Sequence, residues 1–227
     1  MIKYVFFDLD ETLIDIKYAQ NMAIVSLYKK FGFDKETDVN SFARVWDDLT
    51  EFHYADYTKK RISYEEQRKR RVVDLFDTFD IEMPLLPLEV YDVYLKFFEK
   101  NWICFEDVEI TLKMLKSKGY KLGIISNGDY SQQVQKLKTT KIFDYFDYIE
   151  TSSEFDVSKP NTKLYEKVFE KNNISPEEVF YVGDSYNNDY FPCTKLNIKS
   201  VLLSREGLKD YGSAKQITTL TDLIKLL

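Results

Sequence analysis

Histidine occurs once in this sequence, at His53, and cysteine twice, at Cys104 and Cys193. One histidine cannot build a multi-histidine metal site, and two cysteines are too few for a zinc cluster or a disulfide framework. Both cysteines therefore read as reduced thiols of a cytoplasmic protein. No apolar run approaches the roughly 20 residues of a membrane span. The short apolar stretch at the start is interrupted by Asp8 and Asp10, unlike a signal peptide. The phosphate loop G-x-x-x-x-G-K-[ST], the dinucleotide fingerprint G-x-G-x-x-G and the nucleophile elbow G-x-S-x-G are all missing. An ordinary NTPase, a Rossmann dehydrogenase and a Ser-His-Asp hydrolase are therefore unsupported. A net charge of −6 argues against a nucleic-acid or membrane-surface partner, which calls for a basic chain. Internal repeats, low-complexity tracts and flexible linkers are absent too, and nothing demands more than a monomer or weak homodimer.

What is present is an ordinary hydrophobic fraction of 44% over 227 residues, enough for one or two domains with a sizeable core. The feature that organises the rest is Tyr4-Val5-Phe6-Phe7-Asp8-Leu9-Asp10-Glu11-Thr12. Val5 to Phe7 reads as a strand covered on both faces, because the apolar run does not alternate. Two carboxylates at its end would repel each other and hold on to protons unless a cation sat between them. Oxygen ligands of this kind suit magnesium.

Residues 16–101 read as helical, with Gly32 as their one glycine and Pro84 and Pro87 as their two prolines. Apolar residues recur near a 3.6 period in Ile16 to Phe31. From Ser41 to Tyr57 they form a broad face of Phe42, Val45, Trp46, Leu49, Phe52 and His53. Ser63-Tyr64-Glu65-Glu66 resembles a capping box opening a third helix, and a fourth runs from Leu88 to Trp102. Beyond residue 102 the texture changes to strand–helix alternation. Strands are expected at Tyr120–Ile125, Tyr148–Thr151, Val179–Val182 and Ile198–Leu203, and a closing helix at Leu220–Leu227. This predicts an α/β fold: a Rossmann-like parallel sheet of order 3-2-1-4-5 between helices. It is built discontinuously from residues 1–15 and 102–227, with residues 16–101 inserted as an all-helical domain. Six of the seven glycines lie outside the insertion, where tight βα turns use them.

Three predicted strands hand over to polar residues at their carboxyl ends: Asp8, Ser126 and Asp184. Ligands of open parallel sheets bind outside those ends, so the three side chains should share one crevice. Lys159, before Pro160, is a fourth contributor. In order, Asp8-Leu9-Asp10-Glu11-Thr12, Ser126-Asn127-Gly128, Ser158-Lys159-Pro160 and Gly183-Asp184 through Asp189 resemble the four motifs of the haloacid dehalogenase superfamily. The likeness is to its phosphatase branch with a helical cap, among pyrimidine 5′-nucleotidase and small-metabolite phosphatase members. It implies a phosphatase in which Asp8 is the nucleophile and forms an aspartyl-phosphate, and Asp10 is the general acid and base. Ser126, Asn127 and Lys159 would bind phosphate, and Mg²⁺ would be held by Asp8, the Asp10 backbone carbonyl and Asp184. Asp189 and Thr12 would give support from behind. Asn127 either offers its backbone N–H to phosphate or simply turns the chain. Glu11 stands where the family commonly has glycine, and Phe191-Pro192-Cys193 replaces a small, glycine-rich segment. Asp10 separates the chain from the family's dehalogenases.

The resemblance implies a small phosphorylated metabolite as substrate, a nucleoside 5′-monophosphate or a sugar phosphate. A phosphomutase and a non-catalytic binding protein on the same fold are the alternatives. The inserted helices would act as the cap that selects substrate. The basic stretch from Lys59 to Arg71 could steer anions, but Glu65/Lys69 and Glu66/Arg70 at i,i+4 read as a solvated helix face. Tyr18, Trp46, Tyr54 and Tyr57 read first as packing residues, as does His53.

Overall fold

Tyr4–Phe7 forms β1 in the computed structural model, which describes residues 1–227 with the Thr58 side chain excepted. Four helices follow: α1 (Ile16–Lys30), α2 (Val39–Thr58), α3 (Tyr64–Thr78) and α4 (Pro87–Lys100). Then come α5 (Val108–Ser117), β2 (Lys121–Ser126), α6 (Tyr130–Thr139), β3 (Tyr148–Thr151), the single turn α7 (Ser152–Phe155) and α8 (Lys163–Asn172). The chain finishes with β4 (Val179–Gly183), a π-helical turn at Tyr186–Tyr190, α9 (Phe191–Lys195), β5 (Lys199–Leu203) and β6 (Gln216–Ile217). Two compact units result: Met1–Ile16 with Ile103–Leu227, and Lys17–Trp102. No helix among the described residues is long and apolar enough to cross a membrane.

The sheet is parallel throughout, in the order β3-β2-β1-β4-β5-β6. The expected order 3-2-1-4-5 holds, and β6 extends it. At two residues, β6 is too short to leave a periodic signal. The chain reverses its direction of winding between β1 and β4, which is where open α/β sheets bind ligands. Phe7 lies in register with Ile124 of β2 and Val182 of β4, so Asp8 emerges level with the ends of both neighbours. Phe6 accounts for a small residue beside it: a Cβ on Gly123 would lie 2.2 Å from its ring. The ring crosses β2 there to stack on Tyr148 at 5.9 Å and meet Phe169 edge-on at 5.6 Å. The closing segment Leu220–Lys225 is a 3₁₀ helix rather than the expected α-helix, with Leu220 and Leu223 buried.

In the helical unit, Phe33, Phe42, Trp46, Phe76, Tyr91 and Tyr94 form the core. Phe33 lies 4.6 Å from Phe42 and 4.9 Å from Phe76, while Trp46 lies 4.6 Å from Tyr94. The expected apolar face of α2 is narrower than its sequence suggests, because Phe52 is exposed. Tyr18 and Tyr54 are exposed too, whereas Trp46 packs as expected. His53 is buried and bonded to Asp74 at 2.7 Å. At the start of α3, Ser63 Oγ accepts from the Glu66 amide, but the Glu66 carboxylate turns to Arg70 instead of closing a capping box. The basic stretch is divided. Arg70 is a solvated i,i+4 partner of Glu66, whereas Arg71 is buried, with its guanidinium over Trp46 and Tyr91 and a bond to Gln67.

Candidate active site

Asp8 follows the last paired residue of β1, and its backbone N–H still donates to the Val182 carbonyl at 2.9 Å. That hydrogen bond anchors the residue at the mouth of the sheet, so the carboxylate is held by backbone and not by a loop. Lys159 Nζ reaches it at 2.5 Å and reaches Asp189 Oδ1 at 2.7 Å. Lys159 is itself clamped by Asn127, whose side chain accepts from the Lys159 amide at 2.8 Å and donates to the Lys159 carbonyl at 3.2 Å. Of the two readings of Asn127 the side chain thus takes a third role, tying the loop after β2 to the lysine. Burial by itself would lower the Lys159 pKa; Asp189 and Asp8 outweigh it and raise the value above that of an ordinary lysine.

Asp189 reaches this cluster because β4 ends in glycine and the next turn is widened to a π-helical one. A Cβ on Gly183 would lie 2.4 Å from Asp189 Cγ, so only glycine lets the carboxylate pass. The π-helical turn opens with Ser185, whose side chain accepts from Asn188 and whose amide donates to Asp189 Oδ2 at 3.0 Å. This answers the departure at Phe191-Pro192-Cys193: Pro192 occupies the first turn of α9, where a missing N–H costs nothing. The Tyr181 hydroxyl accepts from Lys159 and lies 3.2 Å from Asp189 Oδ1 and 3.1 Å from the Ile125 carbonyl. Gly183→Ala is expected to push Asp189 off Lys159. It should cost about 1–3 kcal/mol of stability through overpacking and reduce turnover on the order of 100-fold, read by urea denaturation and a rate assay on the same preparation.

Asp184 is oriented by Thr12, whose hydroxyl donates to it at 3.1 Å. Thr12 is held in turn through its carbonyl, which accepts from Arg205 Nη2 at 2.7 Å, and Arg205 forms a two-pronged pair with Asp107. Glu11, where a glycine is common, has φ 61° and adopts the left-handed conformation that glycine takes most readily.

One carboxylate oxygen from each of Asp8, Asp184 and Asp189 lies within 4.8 Å of the other two. Lys159 bonds two of the three. Burial first, then Asp189 and Asp184, push Asp8 up to about 8 against the opposing pull of Lys159. Burial first, then Asp189, push Asp184 up to about 6, with Thr12 opposing. A cluster this short of positive charge fits a divalent cation, and its all-oxygen donors suit a hard one.

Asp10 points elsewhere. Its carboxylate lies outside that three-acid cluster and pairs with Lys136 Nζ at 2.7 and 2.8 Å. Gln133 Nε2 lies 3.3 Å from Asp10 Oδ2, 2.8 Å from Ser126 Oγ and 3.0 Å from the Asn127 carbonyl. Ser126 is buried as the last residue of β2, one residue beyond the expected end of that strand. Neither Gln133 nor Lys136 stands out in the sequence, where both read as the polar side of a short helix. The signal lay in the inward stripe of α6: Gln133, Lys136 and Leu137 are its buried residues, so two polar side chains occupy core positions.

The haloacid dehalogenase-like hydrolase family profile matches residues 5–203. Glyceraldehyde 3-phosphate phosphatase of Methanothermobacter thermautotrophicus is 29% identical over 208 residues, covering 91% of this chain and 87% of that protein. Pyrimidine 5′-nucleotidase PynA of Streptococcus pneumoniae is 25% identical over 230 residues, 99% of this chain and 94% of that one. The fold superposes on the HAD-hydrolase YfnB of Bacillus subtilis, solved with magnesium bound, with a TM-score of 0.79. The two are 18% identical, and the match covers 100% of this chain and 98% of that one. With its motif residues gathered at the ends of β1, β2 and β4, the chain belongs to the haloacid dehalogenase-like hydrolase family.

Proposed function

We propose that the chain is a Mg²⁺-dependent phosphomonoester hydrolase that acts on a small phosphorylated metabolite through an aspartyl-phosphate. The observation that carries this reading is the buried Asp8–Lys159–Asp189 array, with Asp184 beside it and Asp10 two residues along the chain. Asp8 is the nucleophile: one of its oxygens forms the bond to phosphorus as the ester P–O bond breaks. Asp10 gives its proton to the departing alkoxide, then takes one from the water that attacks the acyl phosphate. That second step returns Asp8 as a carboxylate and releases inorganic phosphate. Lys159 holds the Asp8 carboxylate in one orientation and reduces its repulsion with an anionic substrate. Ser126, at the end of β2, and the backbone N–H of Asn127 bind phosphoryl oxygens.

Asp8, Asp184 and the Asp10 carbonyl would hold Mg²⁺, with Asp189 and Thr12 fixing their orientation. The ion supplies charge neutralisation at phosphoryl oxygens and keeps its carboxylate ligands ionised. The helical unit carries the substrate-selecting role. Glyceraldehyde 3-phosphate and pyrimidine 5′-monophosphates, named by the relatives, head the candidate substrates, and the work is done in the cytoplasm.

The purified protein is expected to release inorganic phosphate from p-nitrophenyl phosphate and from members of a metabolite panel. EDTA should abolish the release and added Mg²⁺ restore it. Release that is indifferent to EDTA, or no release from any phosphomonoester, would overturn the reading.

A further inference from the structure

We infer that Lys136 and Gln133 are positioning residues that fix the carboxylate of Asp10 for proton transfer, a role that rests on the phosphatase reading above. Asp10 needs such a device. It lies beyond β1 in an irregular turn that passes through the left-handed conformation at Glu11, and its side chain is 35% exposed. A half-solvated aspartate in a turn samples several rotamers, and a proton donor misplaced by an ångström loses much of its effect.

The structure meets that problem from α6. Lys136 is buried, so its ammonium is not a solvated charge that happens to lie nearby. It contacts both oxygens of Asp10, and Gln133, one turn earlier, adds a contact to Oδ2. An ionised carboxylate offers about four acceptor sites. Lys136 sits on both oxygens and Gln133 lies on the Oδ2 side, which leaves Oδ1 the less crowded oxygen for the proton passed to and from the reacting groups. Gln133 does a second thing. Its amide also bonds Ser126 Oγ and the Asn127 carbonyl, so the acid and the phosphate-binding end of β2 are set by one side chain. The platform is firm because Asp129 caps α6, accepting from the Gln132 amide at 3.0 Å.

The test uses two phosphomonoesters that differ in their need for a proton. p-Nitrophenyl phosphate expels a stabilised phenolate and needs little help from an acid. An alkyl phosphate expels an alkoxide and needs a great deal, and kcat/KM reports that step for both. Lys136→Met is expected to reduce kcat/KM for the alkyl ester on the order of 10²-fold and for the aryl ester less than about 10-fold. Lys136→Arg, which keeps the charge, should recover most of the alkyl activity. In an Asp10→Asn background, Lys136→Met should add little further loss, because the lysine acts through the aspartate.

Equal losses on both esters, or additive losses in the double variant, would show a merely structural tie and overturn the role. Absence of turnover of either ester by the unmodified protein would instead overturn the phosphatase reading, and the role with it. Should Lys136→Met melt early, Gln133→Leu reads the same ratio, with a smaller expected shift in the same direction.

Discussion

Asp8→Asn is expected to abolish turnover and, in the metal-free protein at alkaline pH, to raise the melting temperature. The first half follows from the proposed nucleophile: an amide cannot form the acyl phosphate, and a loss on the order of 10⁴-fold or more is usual for such groups. The second half follows from the electrostatics of the cluster. The folded pKa of Asp8, pushed up to about 8, stands above the unfolded value of 3.8. Between those values the folded state binds more protons than the unfolded one, so wild-type stability falls as pH rises from about 4 to about 8. Asparagine has no proton to lose and is spared that fall. The two proteins should therefore melt at similar temperatures at or below about pH 4 and diverge by on the order of 5 °C or more at pH 8–9 in EDTA. Mg²⁺ should close the gap, because at the proposed site it would stabilise wild type and lack one ligand in the variant. Calorimetry across pH, with and without Mg²⁺, checks this. A constant difference at all pH values would contradict it.

Lys159→Met should be the most destabilising single change at the site. The ammonium is buried and shared between Asp8 and Asp189, and removing it leaves two buried carboxylates facing each other and Asp184. Breaking a buried pair from one side costs about 3–5 kcal/mol, most of it the cost of the charges left behind. Activity should fall at least 10³-fold, since the proposed nucleophile loses both its orientation and its charge partner. Asp8→Asn added to Lys159→Met should recover part of the stability, because one of the stranded carboxylates is then neutral. Urea midpoints for the two single variants and the double variant measure that coupling, and strict additivity would contradict the shared-cation arrangement.

The parts of the fold that announced themselves are those where side-chain type and backbone demand coincide. Val5 to Phe7 could only be a doubly covered strand, and Asp8, Ser126 and Asp184 were legible because polar residues stop apolar runs at the same end of the sheet. What stayed hidden did so for physical reasons. Two-residue β6 is held by partners rather than by its own pattern, with the Leu202 and Ser204 amides donating to Lys215 and Ile217. Phe52 continued a helical stripe in sequence, but only tertiary packing decides how wide that stripe is buried. Arg71 was the reverse case, a charge in a charged run whose place among Trp46 and Tyr91 no i,i+4 rule could show. Lys136 and Gln133 were missed because a short polar helix reads as solvated until its inward face is known. Asp189 stood in the sequence as the end of the fourth motif, but its dependence on Gly183 did not show, since a clash with a side chain six residues on exists only in three dimensions.

The position of β1 has a consequence for how the molecule is made. Its two hydrogen-bonded neighbours, β2 and β4, begin at Lys121 and Val179. β1 is thus in the middle of the finished sheet, and more than a hundred residues must follow it before either partner strand exists. During that interval Val5, Phe6 and Phe7 are an unpaired apolar β-segment, while Lys17–Trp102 can assemble from contacts that are near in sequence. Asp8 and Asp10 then follow the exposed strand as two negative charges, which discourages one nascent chain from pairing with another. The two carboxylates proposed for chemistry in the folded protein thus act as gatekeepers before it exists.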